Sequence, residues 1–281
     1  TEAAIAVHKR STRPVAVVAS LPELLPLEVS ARLLANGVVP IHGLSEALAA
    51  AAVVGRMRPA TAEPALPALR AAKGQMVTEA DAKTLLAEFG VRSPLSVRAE
   101  CGDDLALKAA DLTPPLVLKA EGVAHKSEAG GICFNLDALD LPKAAETMPT
   151  ERFLIEEMVT GTVAELLIGV TRDPAHGFVL TLAAGGVMAE LFQDRISLLL
   201  PVLREQVHAA LSELKVYPLL CGFRGADAAD IDAILDAVMR LQNCVMAQPS
   251  RICEIEINPL ICTVTRAVAA DALVVLAADP D

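Results

Sequence analysis

An α/β opening followed by an α+β body rich in sheet is the fold class this sequence predicts, on three observations. Strand and helix patterns alternate strictly over residues 13–57, as in a parallel sheet with crossover helices. From residue 114 onward, apolar strand-like runs follow one another, with one strongly periodic helix near the end. The 281 residues, 53% hydrophobic and 21% charged, suffice for two domains at roughly 150 residues each.

In order, RPVAVVAS (13–20) reads as a strand and PLEVSARLLANG (26–37) as a helix stopped by Asn36-Gly37. VVPI (38–41) is a second strand, and LSEALAAAAVVGRM (44–57) a second helix with Ser45 as its cap. This β-α-β-α run is too short to close a doubly wound domain. With Thr rather than Met at position 1, it suggests a piece of something longer. RPATAEPALPALRAAKGQ (58–75), rich in Pro and Ala, reads as a semi-rigid linker. VTEADAKTLLAEFGV (77–91) is a helix with Thr78 as cap, Asp81 three residues on, and Gly90 as its close. Strands are expected at 114–120, 131–136, 152–159, 164–173, 178–186, 252–262 and 268–277. In the helix at 230–247, Ile231, Ile234, Leu235, Val238, Leu241 and Val245 share one face.

The net charge of −11 argues against nucleic acid, which demands a basic face, and Tyr217 is the only tyrosine in a chain without Trp. No apolar run reaches the ~18 residues of a membrane helix, and the opening residues lack the apolar core of a signal peptide. Six cysteines without a C-x-x-C pair read as buried thiols in a reducing cytoplasm.

Chemistry concentrates in VLKAEGVAHKSEAGG (117–131). Lys119 stands in an apolar strand, so its ammonium must emerge at the strand end or be paired, and a compact charge there suits phosphate oxygens. Gly130 and Gly131 let backbone N–H groups approach a ligand, and Lys126 adds a second positive charge. The competing reading is a surface hairpin with solvated lysines. His125 is a candidate proton or phosphoryl carrier, or simply a satisfied polar residue. Glu156, Glu157 and Glu165 could accept hydrogen bonds from a base amino group and ribose hydroxyls. In EIEINPL, alternation puts Glu254, Glu256 and Asn258 on one strand face. Asp271 follows on the next strand, so Asn258 and Asp271 could share one hard cation such as Mg²⁺.

Together these blocks resemble an ATP-grasp domain, specifically the nucleotide-binding half of NDP-forming acyl-CoA synthetases, the acetate–CoA ligase and succinyl-CoA-synthetase-like superfamily. LVLKAEGVAHKSEAGGICFNL, IEEMVTGTVAELLIGVTRDPAHG, AAGGVMAELFQDR, GFRGADAADIDAIL and EIEINPLI with AADALVVL match family blocks in order. The resemblance implies the C-terminal part of a flavodoxin-like (CoA-ligase) subdomain at 1–58, a linker at 59–74 and a two-lobed ATP-grasp domain at 75–281. Its lobes would be 75–158 and 159–281.

The resemblance further implies that Lys119 contacts nucleotide phosphates, covered by His125, Lys126, Ser127, Gly130 and Gly131. Glu157 and Val159 would line the adenine hinge and Glu165 would hold the ribose. Asn258 and Asp271 would bind Mg²⁺, Glu256 would stand beside phosphoryl transfer, and His125 would be a second phosphoryl carrier. The implied activity joins a small carboxylic acid to CoA, with ATP converted to ADP and phosphate through an acyl phosphate and a phosphohistidine. The implied partner is a CoA-binding and ligase half, on this polypeptide or another, and the family pattern admits a homo-oligomer in the cytoplasm. Leu198 stands where many relatives have arginine, and the segment between the strands at 131–136 and 152–159 is shorter than usual. A non-catalytic, degenerate ATP-grasp module, or another ATP-grasp carboxylate ligase, are the alternatives.

Overall fold

A computed structural model describes residues 1–11, 13–56, 74–122, 130–186 and 194–278. Contacts divide the chain into two units, Thr1–Ala62 and Glu63–Asp281.

The first unit contains α1 (Glu2–Arg10), β1 (Ala16–Ala19), α2 (Leu27–Ala35), β2 (Val39–His42) and α3 (Leu44–Arg56). The two strands pair in parallel, from Ala16 opposite Val39 to Ala19 opposite His42. Helix α1 has no counterpart in the sequence reading, because Ile5 is its one buried residue and leaves no apolar period to detect. Gly37 ends α2 at φ +76°, and a Cβ there would come within 2.6 Å of His8 Nε2. Ser45 is not the cap of α3: it lies inside the helix and its hydroxyl donates to Glu46 Oε2 at 3.1 Å. A small core gathers Ile5, Ala19, Leu25, Leu33 and Val38.

The second unit carries two antiparallel sheets. The first joins β4 (Ser96–Glu100), β5 (Leu116–Ala120), β6 (Ile132–Leu136) and β7 (Arg152–Glu157) in the order β4-β7-β5-β6. Helices α5 (Leu105–Lys108) and α6 (Leu141–Ala145) pack with it around Leu116, Leu118, Phe153 and Ile155. The larger sheet takes β3 (Gly74–Met76), β8 (Thr162–Asp173), β9 (Gly177–Ala184), β10 (Arg195–Leu199), β11 (Ile252–Thr263), β12 (Ala267–Ala269) and β13 (Ala272–Ala277). Its order is β10-β9-β8-β11-β13-β3, with β12 paired to β11.

Helices α4 (Glu79–Glu88), α7 (Arg204–Glu213), α8 (Tyr217–Leu220) and α9 (Ile231–Ala247) also belong to this unit. α4, α7 and α9 contribute Leu86, Val207 and Leu241 to the core that also holds Ile168, Phe178 and Ile255 from the larger sheet. Thr78 caps α4 as expected, accepting from the Asp81 N–H at 3.3 Å, and Asp230 caps α9 by accepting from Ala233 N–H at 2.9 Å.

Two expectations need correction. The last strand, read as one run over 268–277, is two: β12 and β13 are separated at Ala270 and Asp271. There the backbone turns to other partners, Ala270 N–H to Pro259 O at 3.0 Å and Asn258 N–H to Asp271 O at 3.2 Å. The thiols are also not uniformly buried, since Cys101 and Cys221 are exposed and only Cys244 and Cys262 are fully buried. Burial pushes the Cys244 thiol up to about 11 and, more strongly, Cys262 to about 12.

Candidate functional site

A buried quartet of charges marks the place where the smaller sheet, the larger sheet and α4 meet. On α4, Glu79, Ala82, Lys83 and Leu86 form the buried face, with two charges in positions where a helix normally carries apolar residues. Lys119 comes from the all-buried strand β5, and Glu156 from β7 beside it. Lys119 Nζ lies 2.6 Å from Glu79 Oε1, 2.9 Å from Glu156 Oε2 and 2.6 Å from the Ala270 carbonyl. Lys83 Nζ lies 2.7 Å from Glu79 Oε1, 2.6 Å from Glu156 Oε1 and 2.6 Å from the same carbonyl.

All four side chains are at most 7% exposed. Burying unpaired charge costs several kcal/mol, so two ammoniums against two carboxylates is the arrangement that makes this burial tolerable. Burial pulls the Lys119 ammonium down, but the carboxylates of Glu156, Glu79 and Asp271 outweigh it and hold the group above the usual lysine range. For Lys83, burial and the neighbouring Lys119 charge win over the same glutamates, and its affinity for the proton falls below the usual range.

The acidic side of the site is built by β11 and the Ala270–Asp271 turn. Asn258 Nδ2 donates to Glu256 Oε1 at 3.4 Å, and the backbone bond from Asn258 to Asp271 brings both residues to the same point. Strand β11 shifts register against β8 between Ile257 and Leu260, which sets Asn258 off the regular ladder. Asp271 is close enough to Lys119 for its charge to be felt there. Carboxylate and amide oxygens are the hard donors Mg²⁺ selects, and a site with few of them suits an ion that completes its shell with water and phosphate. Among the described residues no group of three or more His, Cys, Asp or Glu could hold a metal alone. The oxygens of Asn258, Asp271 and Glu256 are of the type such an ion takes.

Other residues singled out from the sequence stand apart from the quartet or outside the described part. His125, Lys126 and Ser127 lie outside the described residues. Gly130 has φ +70° with open space where a Cβ would go, and buried Gly131 accepts the Ala120 N–H through its carbonyl at 2.8 Å. Glu157 turns to the opposite side of β7 from Glu156 and accepts from Thr113 N–H at 2.9 Å. Val159 follows just beyond β7, half-buried. Glu165 sits on β8 opposite Ile261. Gly185 and Gly186 close over Glu165: a Cβ at Gly185 would meet Leu166 backbone at 2.8 Å, and one at Gly186 would meet Glu165 Oε2 at 2.3 Å.

Sequence reasoning missed Glu79 and Lys83, and from the Glu156–Glu157 pair it selected the second. The signal for Glu79 and Lys83 was present, as two opposite charges four apart on the apolar stripe of α4.

The chain belongs to the ATP-grasp family: the family profile described as an ATP-grasp domain matches residues 68–276. Within that family it is similar to an ADP-forming acetate–CoA ligase of Archaeoglobus fulgidus, 32% identical over 66% of this chain and 29% of the relative. The beta subunit of an ADP-forming acetate–CoA ligase from Pyrococcus furiosus is 26% identical over 73% of this chain and 94% of that subunit. An acetyl-coenzyme A synthetase of Ca. Korarchaeum cryptofilum, solved with coenzyme A and Mg-AMPPCP and with its phosphohistidine segment pointing towards the nucleotide binding site, superposes with a TM-score of 0.62. That structure is 30% identical and is matched over 70% of this chain and 91% of its own. The chain thus spans 29% of the length of the Archaeoglobus relative.

Proposed function

We propose that this chain is the ATP-binding part of an ADP-forming acyl-CoA synthetase, which converts a carboxylate, CoA and ATP into acyl-CoA, ADP and phosphate. The observation that carries the reading is that Lys119 bonds the Ala270 carbonyl at 2.6 Å, next to Asp271, whose carbonyl in turn takes the Asn258 N–H at 3.2 Å. A carboxylate and a thiol do not condense unaided in water. In this reading the γ-phosphoryl of ATP would pass to a histidine as ADP leaves, then to the carboxylate to give an acyl phosphate, and would depart as phosphate when the CoA sulfur attacks the acyl carbon. Lys119, with Lys126 and Ser127, would hold the phosphates, and Gly130 and Gly131 would let backbone approach them. Glu157 and Val159 would line the adenine, Glu165 would bond the ribose, and His125 would carry phosphoryl, with Glu256 beside the transfer. Mg²⁺ held by Asn258 and Asp271 would neutralise phosphate charge that otherwise repels the nucleophile.

Residues 1–58 would be the end of a flavodoxin-like ligase subdomain, 59–74 a linker, and 75–158 and 159–281 the two ATP-grasp lobes. The partner would be the CoA-binding half, on the same or another polypeptide. Leu44, Leu48 and Val53 of α3, each more than 60% exposed, support such a covering partner. Among the described residues no helix is long and apolar enough to cross a membrane.

Calorimetric titration of ATP and ADP, with and without Mg²⁺, tests the reading. Binding should strengthen with Mg²⁺ and be abolished in Lys119→Ala and Asp271→Ala. Wild-type affinity in both variants would sink the site assignment.

A further inference from the structure

We infer that Lys83 is a positioning residue for Lys119: it holds the buried carboxylates, above all Glu156, so that Lys119 can turn from them to a nucleotide phosphate. The inference rests on the nucleotide reading above and goes beyond it, because it gives a role to a lysine outside the phosphate loop.

An ammonium has three N–H donors. Lys119 already faces three oxygens, from Glu79, Glu156 and Ala270. In this arrangement no donor remains for phosphate, so contact with a nucleotide requires at least one of the three to be released. Releasing a buried carboxylate without a substitute would leave an uncompensated charge, at a cost of several kcal/mol. Lys83 limits that cost, because its own three N–H donors stay on the same three groups. Glu156 is 1% exposed and gives one oxygen to each lysine, Oε1 to Lys83 and Oε2 to Lys119. Glu79 Oε1 and the Ala270 carbonyl each take both ammoniums. Every oxygen site that Lys119 would vacate is thus on a group Lys83 already touches.

The position of Lys83 supports the exchange. It stands one turn after Glu79 on α4, so helix spacing keeps it beside that carboxylate, whereas Lys119 is the fourth residue of β5.

Mg-ATP titration into the full chain tests the inference, on the wild type, Lys83→Met and Lys83→Met/Glu156→Gln, each with its thermal midpoint. Lys83→Met removes one ammonium, tightens the hold of Glu156 on Lys119 and should weaken Mg-ATP binding roughly tenfold, about the worth of one charged hydrogen bond. The double variant rebalances the charges and should restore most of that affinity, which a purely structural role for Lys83 would not do. Wild-type affinity in Lys83→Met, or a double variant as weak as the single one, would overturn the inference and leave the nucleotide reading intact. Should Lys83→Met fail to fold, Glu156→Gln alone decides: it frees Lys119 from one partner and should bind Mg-ATP at least as tightly as wild type, and weaker binding would refute the mechanism. A wild-type chain that binds no Mg-ATP would instead overturn the nucleotide reading, and this inference with it.

Discussion

Helices α3 and α9 are both rich in apolar residues, yet α3 buries none of its side chains while α9 buries Ile234, Leu235, Val238, Leu241 and Val245 among others. The contrast extends to the units around them. In the first, a parallel pair of strands offers little face to pack on, and the core among the described residues is five residues. In the second, a seven-stranded sheet presents a broad apolar face, which α9 meets with a regular stripe. Apolar content alone does not bury a helix. The decisive factors are a periodic stripe and a surface of matching size.

The strongest attempt to break this comparison is Leu241→Ala. Leu241 is fully buried in the larger core, so its truncation should cost about 2–5 kcal/mol, read from urea denaturation of the second unit. A loss below about 1 kcal/mol would mean that α9 is less firmly packed than its burial indicates.

A smaller effect is expected where α4 begins. Thr78→Ala removes the cap and should cost about 1 kcal/mol. It should also blunt an acid-side dependence. The hydrogen bond from Thr78, followed by that from Arg98, holds the Asp81 carboxyl below its ordinary value near 3.8. A depressed carboxylate stabilises the fold fully above that ordinary value, and the contribution disappears as pH falls through the lower folded value. Because Asp81 and Arg98 are about half exposed, solvent screens the pair and the total should stay under about 1 kcal/mol. Thermal midpoints followed from pH 6 down to about pH 3 in the wild type and Thr78→Ala would show whether the difference narrows as Asp81 protonates.

The smallest expected effect is Leu48→Ala on α3. With Leu48 64% exposed, stability of the first unit should change by no more than about 0.5 kcal/mol, read from urea denaturation of that unit. A loss comparable to that of Leu241→Ala would show that Leu48 is covered in solution and would end the contrast between the helices.

Much of the fold was legible in local pattern. The β-α-β-α order of the first unit, the cap and stop of α4, and the face of α9 follow from period, capping chemistry and glycine, each of which acts over a few residues. Helix α1 escaped because one buried Ile5 makes no pattern. The break between β12 and β13 escaped because nothing local at Ala270 or Asp271 forbids a continuous strand. Their backbone groups turn aside to meet Pro259 and Asn258, which precede them in the chain and pair with them only in the fold.

The candidate site divides in the same way. Sequence alone determined that Lys119 must be paired or emerge, since an ammonium in an apolar strand has no third option, and it singled out Asn258 and Asp271 as oxygen-bearing side chains on neighbouring segments. Only the tertiary structure decided which option Lys119 takes, and which of two adjacent glutamates meets it. Alternation along β7 puts Glu156 and Glu157 on opposite faces, but the face that looks toward α4 is set by packing between segments far apart in sequence. The pairing of Lys83 with Glu156, 73 residues away, is a long-range choice of that kind. Burial makes it binding: once water is excluded, each charge must find its opposite wherever the fold has placed it.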